Sequence, residues 1–175
     1  MGEQLGEVVN TVIQSQTRAP IEGKLQITNQ VISLEMESVT AAQIDAGLND
    51  PNPVIQKWAE HFQTLDQTNT PINTQVPFEV QTLALGQTFA LVALAGEITI
   101  EYALRLKESL EPHFNHALIT AYANHIIGYV PAKRQIPEGG YEVWTNQYHL
   151  KRPGPYVEHT EDHICHTALN LLTHK

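Results

Sequence analysis

Two groups of side chains in this sequence have the types and spacing to do chemistry. The first is a single carboxylate, Glu97, which follows Gly96 at the end of the apolar run Phe89-Ala-Leu-Val-Ala-Leu94. If that run is a strand and a helix follows, Glu97 lies near the helix N-terminus, whose partial positive charge keeps a carboxylate ionised and able to bind a cation. The same placement suits a carboxylate that only caps its helix, and spacing alone leaves both readings open. The second group is His159, His163 and His166, at i, i+4 and i+7 on one face of an expected last helix, where two imidazoles four apart can chelate zinc or nickel. Ile164, Ala168, Leu171 and Leu172 form an apolar stripe on the opposite side, so these histidines are expected to face water. No His-Glu-x-x-His arrangement accompanies them. His61 lacks ligand partners and is expected at the surface or its boundary.

What must position Glu97 is a strand, helix, strand unit. Phe89 to Leu94 is an apolar run of strand length, and Gly96 permits a turn that a side chain would obstruct. Thr99 to Leu110 are good helix formers, with Ile100, Ala103 and Leu104 on one face, Arg105 and Lys107 in the later turns, and Pro112 as the stop. Ala117 to Ala123 reads as a second buried strand. The gap between the two runs accommodates a crossover helix, which predicts a parallel βαβ unit with a right-handed connection. Ligands of open α/β sheets bind beyond the carboxyl ends of the strands. That rule puts Glu97 and the segment Asn124 to Tyr129 on one rim, so Glu97 and Tyr129 are expected to meet there.

The rest of the chain surrounds this unit. Leu5, Val8, Val9, Val12 and Ile13 recur at helical spacing and predict an amphipathic first helix, closed off by Pro20 and Gly23. Lys24 to Met36 reads as one strand, either long or interrupted at Asn29-Gln30. Thr40-Ala-Ala-Gln43 has the form of a capping box and opens a short helix to Leu48. Asp50 to Pro53 is a turn, with Pro53 as the first residue of a helix through Leu65. Beyond a polar loop, Val76 to Leu85 reads as a strand with Val76, Phe78, Val80 and Leu83 inward, and Gly86-Gln87 as a two-residue turn into the Phe89 strand. After Tyr129, Pro131, Pro137 and Gly139-Gly140 imply a loop over the rim carrying Tyr141, Trp144 and Tyr148. These aromatics either line an apolar substrate channel or anchor the loop to the core. A last helix is expected over Val157 to Leu172. The fold class that follows is α/β, a mixed sheet with a parallel βαβ unit and flanking helices in a single domain over residues 1–175.

Composition narrows the function classes. A formal net charge of -9 without clustered Lys and Arg argues against a nucleic-acid partner. No apolar run is long enough to span a bilayer, so no transmembrane segment is expected. The amino terminus lacks a basic n-region and an apolar h-region, so no signal peptide is expected on this chain. The lone Cys165 excludes an internal disulfide framework. There is no nucleotide-binding glycine loop, nucleophile elbow or internal repeat.

Three blocks add a resemblance. Ala95-Gly96-Glu97, then Tyr122-Ala123-Asn124 followed by Gly128-Tyr129, then Gly139-Gly140-Tyr141-Glu142 resemble, in order and spacing, the carboxyl-terminal part of the catalytic domain of the neutral/alkaline non-lysosomal ceramidase family. The resemblance implies a zinc site made of two histidines from earlier in the domain, a glutamate matched by Glu97 and a tyrosine matched by Tyr129. It implies that Tyr141 assists the substrate carbonyl. Ala95 stands where the family usually has proline, and the family's two zinc histidines and catalytic serine region have no counterpart here.

The resulting expectation is the carboxyl-terminal portion of a zinc amidohydrolase of lipid metabolism, acting on N-acyl lipid-type amides only if the missing ligands are supplied. A partner chain carrying the histidines, or a second copy in a homo-oligomer, would supply them. The alternative is a noncatalytic binding or oligomeric assembly domain that retains a half metal site.

Overall fold

The structure is a computed structural model that describes residues 2–15 and 20–174. In chain order its strands are β1 (Leu25–Glu35), β2 (Gln75–Leu85), β3 (Phe89–Leu94), β4 (Glu97–Ile98), β5 (His116–Thr120) and β6 (Tyr129–Val130). Its α-helices are α1 (Gly2–Gln14), α2 (Ala41–Leu48), α3 (Pro53–Gln67), α4 (Ile100–Leu110), α5 (Asn146–His149) and α6 (Thr160–Thr173). The main sheet has the order β1-β2-β3-β5. The pairs β1–β2 and β2–β3 are antiparallel, and β3 pairs with β5 in parallel across the crossover helix α4. The fold is therefore mixed α/β with the expected βαβ unit.

Strand periodicity decides the core. Side chains alternate between faces, so Val76, Phe78, Val80, Thr82 and Ala84 of β2 share one face with Ala90, Val92 and Leu94 of β3. Tyr102, Leu106 and Leu110 of α4 and Ile164, Cys165 and Ala168 of α6 close over that face. Leu83, expected inward, instead lies on the opposite face, because a strand of period two that buries Val80 must bury Thr82 and Ala84 next.

The helix stripes show a second correction. α4 turns Tyr102, Leu106 and Leu110 inward and leaves Ile100 and Leu104 exposed, so the expected apolar face is not the one that packs. An aromatic ring offers more apolar area than Ile100, provided its hydroxyl finds a partner. The Tyr102 hydroxyl donates to the Pro131 carbonyl at 3.1 Å, which also ties the rim loop to the helix.

Element ends differ where backbone hydrogen bonds intervene. β1 runs unbroken through Asn29, whose side chain donates to Glu79 Oε1 at 2.9 Å across the ladder. Leu85 pairs with Phe89, so the hairpin loop has three residues rather than two. β5 stops at Thr120, short of Ala123, because the chain turns at Tyr122 and Asn124 with φ of 57° and 64°. α6 begins at Thr160 rather than Val157, whose N–H is held by the Glu35 carbonyl at 3.1 Å.

The local start signals hold. Gln43 N–H donates to Thr40 Oγ1 at 3.3 Å, and Thr40 N–H to Gln43 Oε1 at 2.8 Å, which completes the capping box. Pro53 opens α3. A second cluster of Ile44, Trp58, Ala59 and Phe62 packs α2 against α3. It reaches the carboxyl-terminal part of the chain through Trp58 Nε1, which donates to the Arg152 carbonyl at 2.6 Å. α1 forms as the periodicity predicts, with no buried residue.

Candidate functional site

The strand pair β4–β6 builds the rim. It is a two-residue parallel ladder in which Glu97 is the register partner of Tyr129, and Ile98 of Val130. Paired residues of a parallel ladder project to the same side, so the Glu97 carboxylate and the Tyr129 phenol stand together.

Glycine lets the backbones come this close. Gly96 has φ of 68°, and a Cβ there would lie 2.8 Å from the Gly128 carbonyl oxygen. In its place Glu97 N–H donates to that carbonyl at 2.9 Å, and Gly96 N–H donates to the His125 carbonyl at 2.9 Å. Gly128, with φ of 80°, sits against Asn146, where a Cβ would meet the amide oxygen at 2.6 Å.

The electrostatics follow from this placement. Glu97 faces two phenols. Hydrogen bonding to its carboxylate pushes the Tyr122 phenol up to about 12 and holds Tyr129 above the usual phenol range. Both phenols are therefore neutral at pH 7. Tyr141 completes the group, its ring edge-on to Tyr129 with centroids 5.8 Å apart. Tyr141 enters from a π-helical turn over Tyr141–Thr145 that follows Gly139 and Gly140, both at positive φ.

The loop between β6 and this turn is anchored from below. Glu161 is mostly buried on α6. It accepts from Lys133 N–H at 2.7 Å and from Arg105 Nη1 at 3.0 Å. Trp144 stacks on Tyr148, and Tyr148 packs edge-on against Trp58 at 5.1 Å, so these two aromatics anchor the loop to the second cluster.

The capping reading of Glu97 gives way. Thr99 is the N-cap of α4 and makes no side-chain cap bond, and the carboxylate of the helix's first turn, Glu101, accepts from Arg134 at 2.8 Å. Glu97 instead pairs with Tyr129 across the β4–β6 ladder.

The donor set is oxygen only. A catalytic zinc takes about three protein ligands and keeps an open position for water. Glu97 and Tyr129 fit two positions of such a shell, and no histidine is placed with them. His163 and His166 are exposed on α6, with His159 exposed just ahead of it. Among the described residues no group of three or more His, Cys, Asp or Glu could hold a metal ion. Nor is any described helix long and apolar enough to cross a membrane.

Comparison with solved structures bears on the fold. A structure described as "Ceramidase complexed with C2" matches with a TM-score of 0.51 at 14% identity, over 97% of this chain and 32% of that one. The fold is ceramidase-like. This chain spans about a third of the length of that ceramidase chain. No family model matches the sequence, and no curated protein matches it.

Within the ceramidase-like fold, the alanine that departs from the family pattern has a local use. Ala95 N–H donates to the Glu79 carbonyl at 3.2 Å, a bond that proline could not make. The residue that sequence reasoning missed is Tyr122, quoted only as a spacing marker in its block. Its signal was the Tyr-Ala-Asn step at the end of an apolar run, since asparagine tolerates the left-handed conformation that ends β5.

Proposed function

We propose that this chain is the carboxyl-terminal portion of a ceramidase-like zinc amidohydrolase, acting on N-acyl lipid-type amides once other ligands complete its site. The observation that carries the reading is the register pairing of Glu97 with Tyr129 in a chain whose fold is like a ceramidase's. Glu97 and Tyr129 would be two of the zinc donors, and histidines from a partner chain, or ligands from a second copy, would supply the rest. Zinc, when bound, would lower the pKa of its water and polarise the amide carbonyl.

The chain's own residues would do the remaining work. Tyr141 stands beside Tyr129 and is half exposed, so its hydroxyl is free to donate to the oxygen of an incoming amide. Glu97 and Tyr129 orient each other through the β4–β6 ladder. By itself the chain is expected to hydrolyse nothing detectable, because two oxygen donors hold zinc weakly.

A second reading is favoured by the main sheet. Leu25, Ile27, Val31 and Leu118 are each more than half exposed on its outer face, as suits a noncatalytic assembly domain that buries this surface against another chain. Zinc uptake by the purified chain at saturating zinc, with and without Glu97→Ala, separates the two. One equivalent of zinc that is lost in Glu97→Ala supports the hydrolase reading. No zinc with a stable oligomer supports the assembly reading. Zinc that persists in Glu97→Ala and disappears in His163→Ala overturns the site assignment.

A further inference from the structure

We infer that α1 is an exchange arm, whose apolar stripe lies on the bare outer face of the main sheet in a second copy of this chain. The inference rests on the reading of that face as a surface buried against another chain, and it names what covers it.

Helical periodicity supplies the first surface. Leu5, Val8, Val9 and Val12 recur at three- and four-residue spacing, so they line one side of α1, and each is 48% to 67% exposed. No residue of α1 is buried. A helix of 13 residues is marginal in water by itself, and packing of its apolar side is what stabilises such a helix.

Strand register supplies the second surface. Ile27, Leu83, Leu91 and Leu118 are successive register partners across β1, β2, β3 and β5, which puts an unbroken apolar row on the outer face. Leu25, Leu85 and Phe89 form a second row beside it. At Ala93 a methyl group stands among longer side chains, and a cavity of about 110 Å³ lined by Ile27, Gln81, Leu83, Leu91 and Ala93 opens there. A hollow of that size takes one aliphatic side chain, and Leu5 is the largest and most exposed on the stripe.

The two surfaces match in size and charge. At 1.5 Å per residue α1 is about 20 Å long, and the stretch of β1 from Leu25 to Val31 spans about the same. Neither the stripe nor the two rows carry a charged side chain, so their contact buries no ion. With Leu25, Ile27, Val31 and Leu118, the four α1 side chains present on the order of 500 Å² of apolar surface. A reciprocal exchange doubles this to about 1,000 Å², and the half-buried Leu83, Leu85, Phe89 and Leu91 bring it to the scale of a specific dimer.

Topology favours the neighbour's sheet. Within one chain the stripe and the outer face both remain exposed. β1 is an edge strand, so an arm leading into it can leave the sheet without crossing another strand. Exchange of one identical element between two copies makes every contact twice and closes under two-fold symmetry.

The test uses the full chain. Molar mass by light scattering over a range of concentrations is expected to show a dimer. Val9→Glu on the arm and Ile27→Glu on the face are each expected to weaken it at least about 100-fold, since each puts a carboxylate into an apolar contact. Both positions are about half exposed in the single chain, so the melting temperature at low concentration is expected to stay unchanged. Chains carrying Leu5→Cys, mixed with chains carrying Leu83→Cys and oxidised, are expected to form a disulfide between copies; the native Cys165 is buried and stays out of the reaction. A dimer that survives Val9→Glu and falls apart in Ile27→Glu overturns the exchange and leaves the assembly reading of the face standing. A disulfide that forms within the Leu5→Cys, Leu83→Cys double variant and not between singly substituted chains also overturns it, because α1 then folds back on its own sheet. A chain that is monomeric at every concentration overturns both.

Discussion

The two faces of the main sheet are built from similar residues and meet different surroundings. On one face Phe78, Val80, Val92 and Leu94 are fully buried beneath α4 and α6. On the other, Leu25, Ile27, Val31 and Leu118 are more than half exposed, and no described helix covers them. β-Branched and large apolar residues make a strand wherever they alternate or cluster, but burial requires a second layer. A sheet apolar on both sides is suited to lie between two layers, and this chain supplies one. At the rim Glu97 pairs with Tyr129, whose ring lies edge-on to Tyr141.

Substitutions can break or sharpen this contrast. Phe78→Ala, on the covered face, is expected to cost about 4 kcal/mol in urea unfolding, since deleting a fully buried ring removes its burial and leaves a cavity. A cost below about 1 kcal/mol would mean that the covered face is not a packed core. Gly96→Ala tests whether the rim depends on backbone approach. It is expected to cost about 2 kcal/mol, from positive φ and the 2.8 Å approach to the Gly128 carbonyl, and to separate Glu97 from Tyr129. Unchanged stability by thermal denaturation would show that β4 and β6 can part without cost. Ile27→Ser, on the exposed face, is expected to change the stability of the single chain, at concentrations too low for assembly, by less than about 0.5 kcal/mol. A loss comparable to that of Phe78→Ala, measured at several protein concentrations, would show that another copy covers this face in solution.

Much of this architecture was legible because its causes are local. The capping box at Thr40 and Gln43, the proline opening α3, and the apolar run of β3 followed by Gly96 each depend on residues a few positions apart. The meeting of Glu97 and Tyr129 was also legible, through the rule that βαβ strands deliver their following residues to one rim. What local pattern could not decide was which of two plausible stripes of α4 would pack. Ile100 and Leu104 are as apolar as Leu106 and Leu110, and only the packing of α4 against the sheet shows that Tyr102, Leu106 and Leu110 are the ones that face the core.

The sequence by itself determined the order of elements, the parallel crossover and the rim on which Glu97 and Tyr129 sit, because short-range hydrogen bonding and side-chain periodicity are written residue by residue. Tertiary structure alone decided that the Tyr122 turn rests against Gly96 and that one apolar face of the sheet stays bare among the described residues. Both depend on where distant backbone segments come to rest, the turn after β5 against Gly96 and the helices against a single side of the sheet. No window of neighbouring residues holds that information.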